Sequence, residues 1–402
     1  MRYMLFLLIA LVANAVSAQS LHVQNGKLYG PTSTELRLRG INRAHWDQNT
    51  YGTGSVGANV VRMSIDFSQP VATSWGAVQS QILSYGMTPI VGNWIGTCNS
   101  DPNVLSSIVD TWIAQADTWK QLNANGIVNI ANEWGPTNSS VWRDSYIAQV
   151  KRLRAAGFTG TLMVDSGGCG QDPNDIVQYG AAVLASDPLH NILFDVHVYG
   201  NFVLNATVSW ETDYATSMAA LKATGLPIVL GEFGPGNNVG PSPTTITPQQ
   251  VISTAESNGW GWLAWAMDDN DQAGCQSDGY GFSMTYTCWG DATHQGDANL
   301  TPWGLLIATE LRTLNSAPTL TSGLAYHCLP NYACAIQLSA SDPAGLTVTY
   351  SLSGNPPQVS LSSDGIFGWW TSPIAGVYPM TITLTDSVGH QSTNAVTLTI
   401  SW

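Results

Sequence analysis

Gly126-Ile127-Val128-Asn129-Ile130-Ala131-Asn132-Glu133-Trp134 is a short, mostly apolar run that stops at a carboxylate. Its length and apolar character are those of a strand buried on both faces, as parallel sheets require. Seven more runs of this kind stand around it: Arg37–Asn42, Asn59–Ile65, Met87–Asn93, Thr161–Ser166, Ile192–Tyr199, Leu226–Phe233 and Trp260–Met267. The segments between them carry the helical period, as in Leu105, Ile108, Val109, Trp112, Ala116 and Trp119, or Trp142, Tyr146, Val150 and Leu153 ahead of Gly157. Strands alternating with helices eight times predict an α/β fold, a (β/α)8 TIM barrel, with a doubly wound open sheet as the rival. Pro89 lies inside the third run, where it removes a ladder donor. Leu21–Tyr29, with Asn25-Gly26 at its centre, reads as a hairpin ahead of the barrel.

The chain has 402 residues, 44% of them hydrophobic and 10% charged, against about 25% charged in ordinary domains. A large core is therefore available. Asp and Glu outnumber Lys and Arg by 27 to 13, a net charge of −14, which argues against nucleic acid and anionic membrane as partners because both need clustered cations.

Residues 1–18 join one positive charge (Arg2), an apolar run from Met4 to Val12, and small residues at Val16 and Ala18. They read as a secretory signal cleaved after Ala18, and no other run is long enough to span a membrane. The barrel is expected over residues 19–316. From Ala317 to Trp402 there is no Lys, Arg or Glu, and Thr alternates with β-branched residues around turns such as Asp364-Gly365. That stretch, 317–402, is expected to be a small antiparallel β-sandwich without helices. Six cysteines in an exported chain suggest disulfides. Cys275–Cys288 and Cys328–Cys334 are the local pairs, leaving Cys98 with Cys169.

In such a barrel the polar residues at the carboxyl ends of strands face the catalytic mouth. Glu133 and Glu232 stand there, after the fourth and seventh strands. One strand-end Glu alone is more often a solvated loop residue, but two in Gly, Trp and Asn surroundings point to chemistry. In the sixth strand Asp195, His197 and Tyr199 share one face and Phe194, Val196 and Val198 the other, so the polar face turns into the barrel. Trp94, Trp134 and Trp265 collect at the same level. Flat indole faces stack on the C–H faces of sugar rings, although they also plug barrel tops. Arg62 ends the second strand with no charge partner near it in sequence, and is placed to orient a carboxylate. Asp268, Asp269, Asp271 and Asp278 form no recognisable calcium loop and read as a solvated acidic segment.

Arg62, Asn132-Glu133-Trp134, His197-x-Tyr199, Gly231-Glu232-Phe233-Gly234 and Trp265 together resemble glycoside hydrolase family 5. Asn129–Trp134, Val164–Gln171 and Trp262–Asn270 resemble its bacterial mannan endo-1,4-β-mannosidase branch more than its cellulases. The resemblance covers about residues 21–312. It implies Glu133 as acid/base, Glu232 as nucleophile, Asn132 as partner of the sugar 2-hydroxyl, and Trp265 as the platform beneath the cleaved sugar. It also implies that Tyr199 and Arg62 hold Glu232, with His197 beside the pair. Neighbours on a regular strand point oppositely, so Asn132 and Glu133 both reach the mouth only if the strand ends or bulges there.

This chain departs from the family at Val91-Gly92-Asn93-Trp94, where a His is usual, and at Cys169, where the mannanases carry Trp. Asn93 is expected to bond a sugar hydroxyl in place of the His. The C-terminal residues resemble immunoglobulin-like or cadherin-like modules, with Trp369-Trp370 as a candidate carbohydrate face against a spacer role. The expectation is thus a secreted, monomeric, retaining endo-glycosidase acting on a β-1,4-linked polysaccharide such as mannan, without metal or organic cofactor. A β-glucanase of the same family and a silent polysaccharide-binding barrel are the rivals.

Overall fold

The computed structural model describes residues 20–31, 33–43, 56–64, 72–199, 210–235, 246–267, 282–286, 297–342, 346–369, 374–387 and 389–402. The leader, the Cys275–Cys288 pair, the four acidic residues after the eighth strand and Trp370 lie outside them.

Eight strands take up the eight apolar runs: β1 (Arg39–Arg43), β2 (Val60–Ser64), β3 (Thr88–Gly92), β4 (Ile127–Asn129), β5 (Thr161–Asp165), β6 (Ile192–Val198), β7 (Ile228–Phe233) and β8 (Gly261–Ala264). They pair in parallel and in chain order, and β8 returns to β1 through Trp262 opposite Arg39. This closure excludes the open sheet. Pro89 fits because the Thr88 N–H already bonds Asn59 on the β2 side. The donor missing at Pro89 would face β4, whose pairing with β3 starts only at Ile90.

The strand alternation sorts two cores. Val60, Ile90, Ile127, Met163, Leu193, Val229 and Leu263 point inward and form one cluster, joined by Leu21 and Leu28. Those two come from the hairpin His22–Gln24 with Lys27–Tyr29, turned at Asn25 (φ 50°) and Gly26 (φ 72°) as a two-residue hairpin demands. The outward set, including Phe194, Val196 and Val198, packs under the helices. Helix Pro102–Ala114 is capped by Asp101 and buries Leu105, Ile108, Val109 and Trp112. Helix Ser140–Ala155 is capped by Ser139 and buries Trp142, Tyr146, Val150 and Leu153. The expected run to Trp119 is broken at Gln115, beyond which Ala116–Trp119 is a separate turn.

Beyond residue 318 the described residues form strands only. One sheet orders Ala325–Cys328, Gln391–Ile400, Gly376–Asp386 and Val348–Ser353, and another orders Cys334–Gln337, Ile366–Trp369 and Ser360–Leu361. A separate apolar cluster fills the space between them, and the Cys328–Cys334 disulfide ties the sheets together. The pairing is antiparallel except between Ala325–Cys328 and Gln391–Ile400, which run parallel. These two strands are distant in sequence, so no hairpin dictates their direction. Trp369 is core, 3% exposed, with its Nε1 donating to the Tyr332 carbonyl at 3.0 Å.

Candidate active site

The site grows from polar side chains on the upper inward face of the barrel. The β4 ladder stops at Asn129, and Glu133 adopts a left-handed backbone at φ 52°. That turn brings the adjacent Asn132 and Glu133 to the same mouth. Such a conformation costs a non-glycine residue about 1–3 kcal/mol, so its surroundings must impose it. Here the Glu133 N–H donates to Asp165 Oδ2 at 2.8 Å, its carbonyl accepts from the Cys98 N–H at 3.2 Å, and the Asn132 N–H donates to the Asn93 carbonyl at 2.8 Å.

Across the barrel, a bulge aims Glu232. The β6–β7 register runs Val196 opposite Leu230, then His197 opposite Glu232, leaving Gly231 as the extra residue. The Gly231 N–H donates to Asp195 Oδ1 at 2.7 Å and its carbonyl accepts from Asn42 Nδ2 at 2.8 Å. A Cβ on Gly231 would stand 2.1 Å from the Asp195 carboxylate, so only glycine permits this approach.

Arg62, fully buried, reaches Glu232 Oε1 at 2.6 Å and Asn42 Oδ1 at 3.0 Å through one nitrogen. Its other nitrogen reaches Asn132 Oδ1 at 2.6 Å and Asn129 Oδ1 at 2.9 Å. The Tyr199 hydroxyl donates to Glu232 Oε2 at 3.1 Å. His197 Nδ1 lies 2.8 Å from Glu133 Oε1 and 3.5 Å from Glu232 Oε2, while its Nε2 lies 3.3 Å from Asp195 Oδ2. The nearest oxygens of the two glutamates are within 4.8 Å of one another. Trp94 and Trp265, half-buried, have ring centroids 6.3 Å apart, and Trp94 lies against the Arg62 guanidinium at 4.5 Å.

Burial pushes Glu232 above the usual carboxylate range, His197 and Arg62 pull it back, and the Glu133 charge adds to the rise. Burial lowers His197, but the charges of Glu232 and Asp195 outweigh it and hold the imidazole well above its ordinary value.

Two groups among the described residues have cation-binding donor types, Glu133–His197–Glu232 and Asp165–Asp195–His197. In the second, backbone and side-chain donors already occupy the carboxylates.

Two of the expected substrate contacts need correction. Trp134 is fully buried, edge-on to Tyr146 at 5.5 Å, with Nε1 donating to the Asp101 carbonyl at 3.1 Å. The left-handed turn at Glu133 sends the next side chain down into the core. Asn93 is also fully buried and spends its side chain on the Ile95 N–H (2.9 Å) and Thr111 Oγ1 (3.3 Å), away from any sugar. Arg62 and His197 are both buried beneath the carboxylates, so they hold the pair and do not line the surface of the mouth. Sequence reasoning passed over Asn42, Asn129 and Asp165. Asp165 closes the otherwise apolar Leu162-Met163-Val164, the same strand-end signal that marks Glu133 and Glu232. The Cys98–Cys169 disulfide is formed, joining the loops after β3 and β5 across β4.

The profile of the cellulase family, glycosyl hydrolase family 5, matches residues 92–271. The mannan endo-1,4-beta-mannosidase of Salipaludibacillus agaradhaerens is 33% identical over 261 residues, covering 62% of this chain and 82% of that protein. That of Streptomyces lividans is 30% identical over 270 residues, covering 63% and 67%. The mannohexaose complex of Thermomonospora fusca β-mannanase superposes with a TM-score of 0.59 at 26% identity, covering 72% of this chain and 94% of that one. With a closed barrel and relatives of this similarity, the chain belongs to glycosyl hydrolase family 5, the cellulase family.

Proposed function

We propose that this protein is a secreted, monomeric, retaining endo-β-1,4-mannanase. The observation that carries the reading is the pair of strand-end glutamates with oxygens within 4.8 Å of one another. Retaining glycosidases place their carboxyl groups about 5–5.5 Å apart, whereas inverting ones leave roughly 6.5–9.5 Å for a water. Mannan as substrate follows from the relatives, two of them mannan endo-1,4-beta-mannosidases and one a β-mannanase holding mannohexaose. Export is supported by the leader and by the disulfides, and no described helix is long and apolar enough to cross a membrane.

In this reading ionised Glu232, steadied by Arg62 and Tyr199, attacks the anomeric carbon while Glu133 gives its proton to the departing glycosidic oxygen. Glu133 then takes a proton from water, whose oxygen displaces Glu232. Asn132 has its carbonyl on Arg62 and one amide hydrogen on Thr97 Oγ1 (3.0 Å), leaving its second N–H for the axial 2-hydroxyl of mannose. Trp265 supplies the stacking face.

The test compares mannan with carboxymethylcellulose and uses both glutamate variants. Mannan is expected to turn over at least roughly tenfold faster, the cost of one misplaced buried hydrogen bond. Glu133→Ala and Glu232→Ala should each abolish mannan hydrolysis, but only Glu133→Ala should still form a glycosyl-enzyme from a dinitrophenyl glycoside. Faster glucan hydrolysis would overturn the substrate, and a glycosyl-enzyme on the Glu232 variant would reverse the roles.

A further inference from the structure

Asp165 touches neither mouth nor solvent, being fully buried at the end of β5, yet the hydrogen-bond network around the two glutamates converges on it. Arginine only donates, so the Asn129 and Asn132 atoms facing Arg62 at 2.9 and 2.6 Å are amide oxygens. Asn129 must therefore turn its NH2 toward Asp165, and it does, at 2.6 Å from Oδ1. Asp165 Oδ2 accepts the Glu133 N–H at 2.8 Å, with Arg62 Nη2 at 3.5 Å and His197 Nε2 at 3.8 Å beyond. These neighbours offer donors, so both oxygens have to accept, and an amide in place of the carboxylate would set N–H against N–H. The left-handed Glu133 N–H is thus held by a carboxylate whose two accepting oxygens no neutral isostere reproduces together.

We propose that Asp165 is a positioning residue that imposes the left-handed backbone of Glu133 and so aims its carboxyl at the leaving oxygen. This rests on the acid/base reading of Glu133. Burial, with the neighbouring Asp195 charge, pushes Asp165 up to about 7, while Arg62, His197 and the Glu133 N–H pull it down.

The experiment is Asp165→Asn, with Glu133→Ala alongside as the reference. For Asp165→Asn, kcat on mannan is expected to fall roughly 10- to 100-fold with KM little changed, the scale of a catalytic group misplaced by about 1 Å. The basic limb of the pH–rate profile, which reports the acid, should move. Turnover of dinitrophenyl β-mannobioside should be accelerated by azide, which attacks the glycosyl-enzyme without a general base, in both variants and not in the wild type. Wild-type kcat and pH profile in a folded Asp165→Asn would overturn the proposal. So would an equal loss on mannan and on the activated substrate with no azide effect, since that places the damage on the Glu232 side. Absence of azide acceleration in Glu133→Ala itself would refute the acid/base reading and the proposal with it. If Asp165→Asn does not fold, Asp165→Ser, with room for a bridging water, is read by the same criteria.

Discussion

Asp175 is buried with its oxygens on the Ser139 and Gly167 N–H groups at 2.9 and 3.2 Å, pinning the loop after β4 to the loop after β5. Burial pushes its pKa up to about 7, against hydrogen bonds that lower it. The folded protein therefore holds a proton between about pH 4 and 7 that the unfolded chain has released. Its contribution to stability is largest at the acid end, falls as pH rises through that window and is flat above it. Melting curves from pH 4 to 8 are expected to fall less steeply for Asp175→Asn than for the wild type, by several degrees over the window. Parallel curves would assign the slope to other groups. Trp134 shows the opposite lesson at the same scale: an aromatic beside a mouth carboxylate in sequence is core, because one left-handed residue between the strand and its loop reverses where the side chain goes.

Among the elements, the loops after β3 and β5 are tied together above the strand ends by a disulfide. Cys98 and Cys169, both at φ 56°, join them over a sequence separation of 71 residues. Closing a loop of that size stabilises by about 4 kcal/mol on chain-entropy grounds. The Cys98 N–H also holds the Glu133 carbonyl at 3.2 Å. Cys98→Ser with Cys169→Ser is therefore expected to lower the melting temperature and, at temperatures where the barrel stays folded, to reduce kcat. Calorimetry and initial rates check this, and an unchanged kcat would confine the disulfide to stability. Strand boundaries were legible to within a few residues because alternation and apolar runs are local. The β6–β7 bulge was not, since Gly231 is extra only relative to a partner strand with its own register.

At the scale of the molecule, the barrel and the C-terminal sheets each enclose an apolar cluster of their own. Units with separate cores generally fold separately. A chain ending at Ser316 is expected to melt cooperatively and to keep most of its activity on soluble manno-oligosaccharides. Failure of that truncation to fold would show that the sheets complete the barrel. Activity lost only on insoluble mannan would give the C-terminal sheets a binding role.

By itself the sequence determined eight strands, the hairpin below them, the inward polar face of β6 and the two strand-end glutamates. These depend on residue type and period along one segment, so each is readable without its neighbours. Tertiary structure alone decided that the sheet closes, that Glu133 turns left-handed, that Asn93 and Trp134 point away from the mouth, and that Asn42, Asn129 and Asp165 share one network with Arg62. The physical reason is that the mouth is assembled from the ends of β1 to β8. Their side chains meet only after ring closure fixes every register, and each buried donor then takes whichever acceptor that closure has brought within reach.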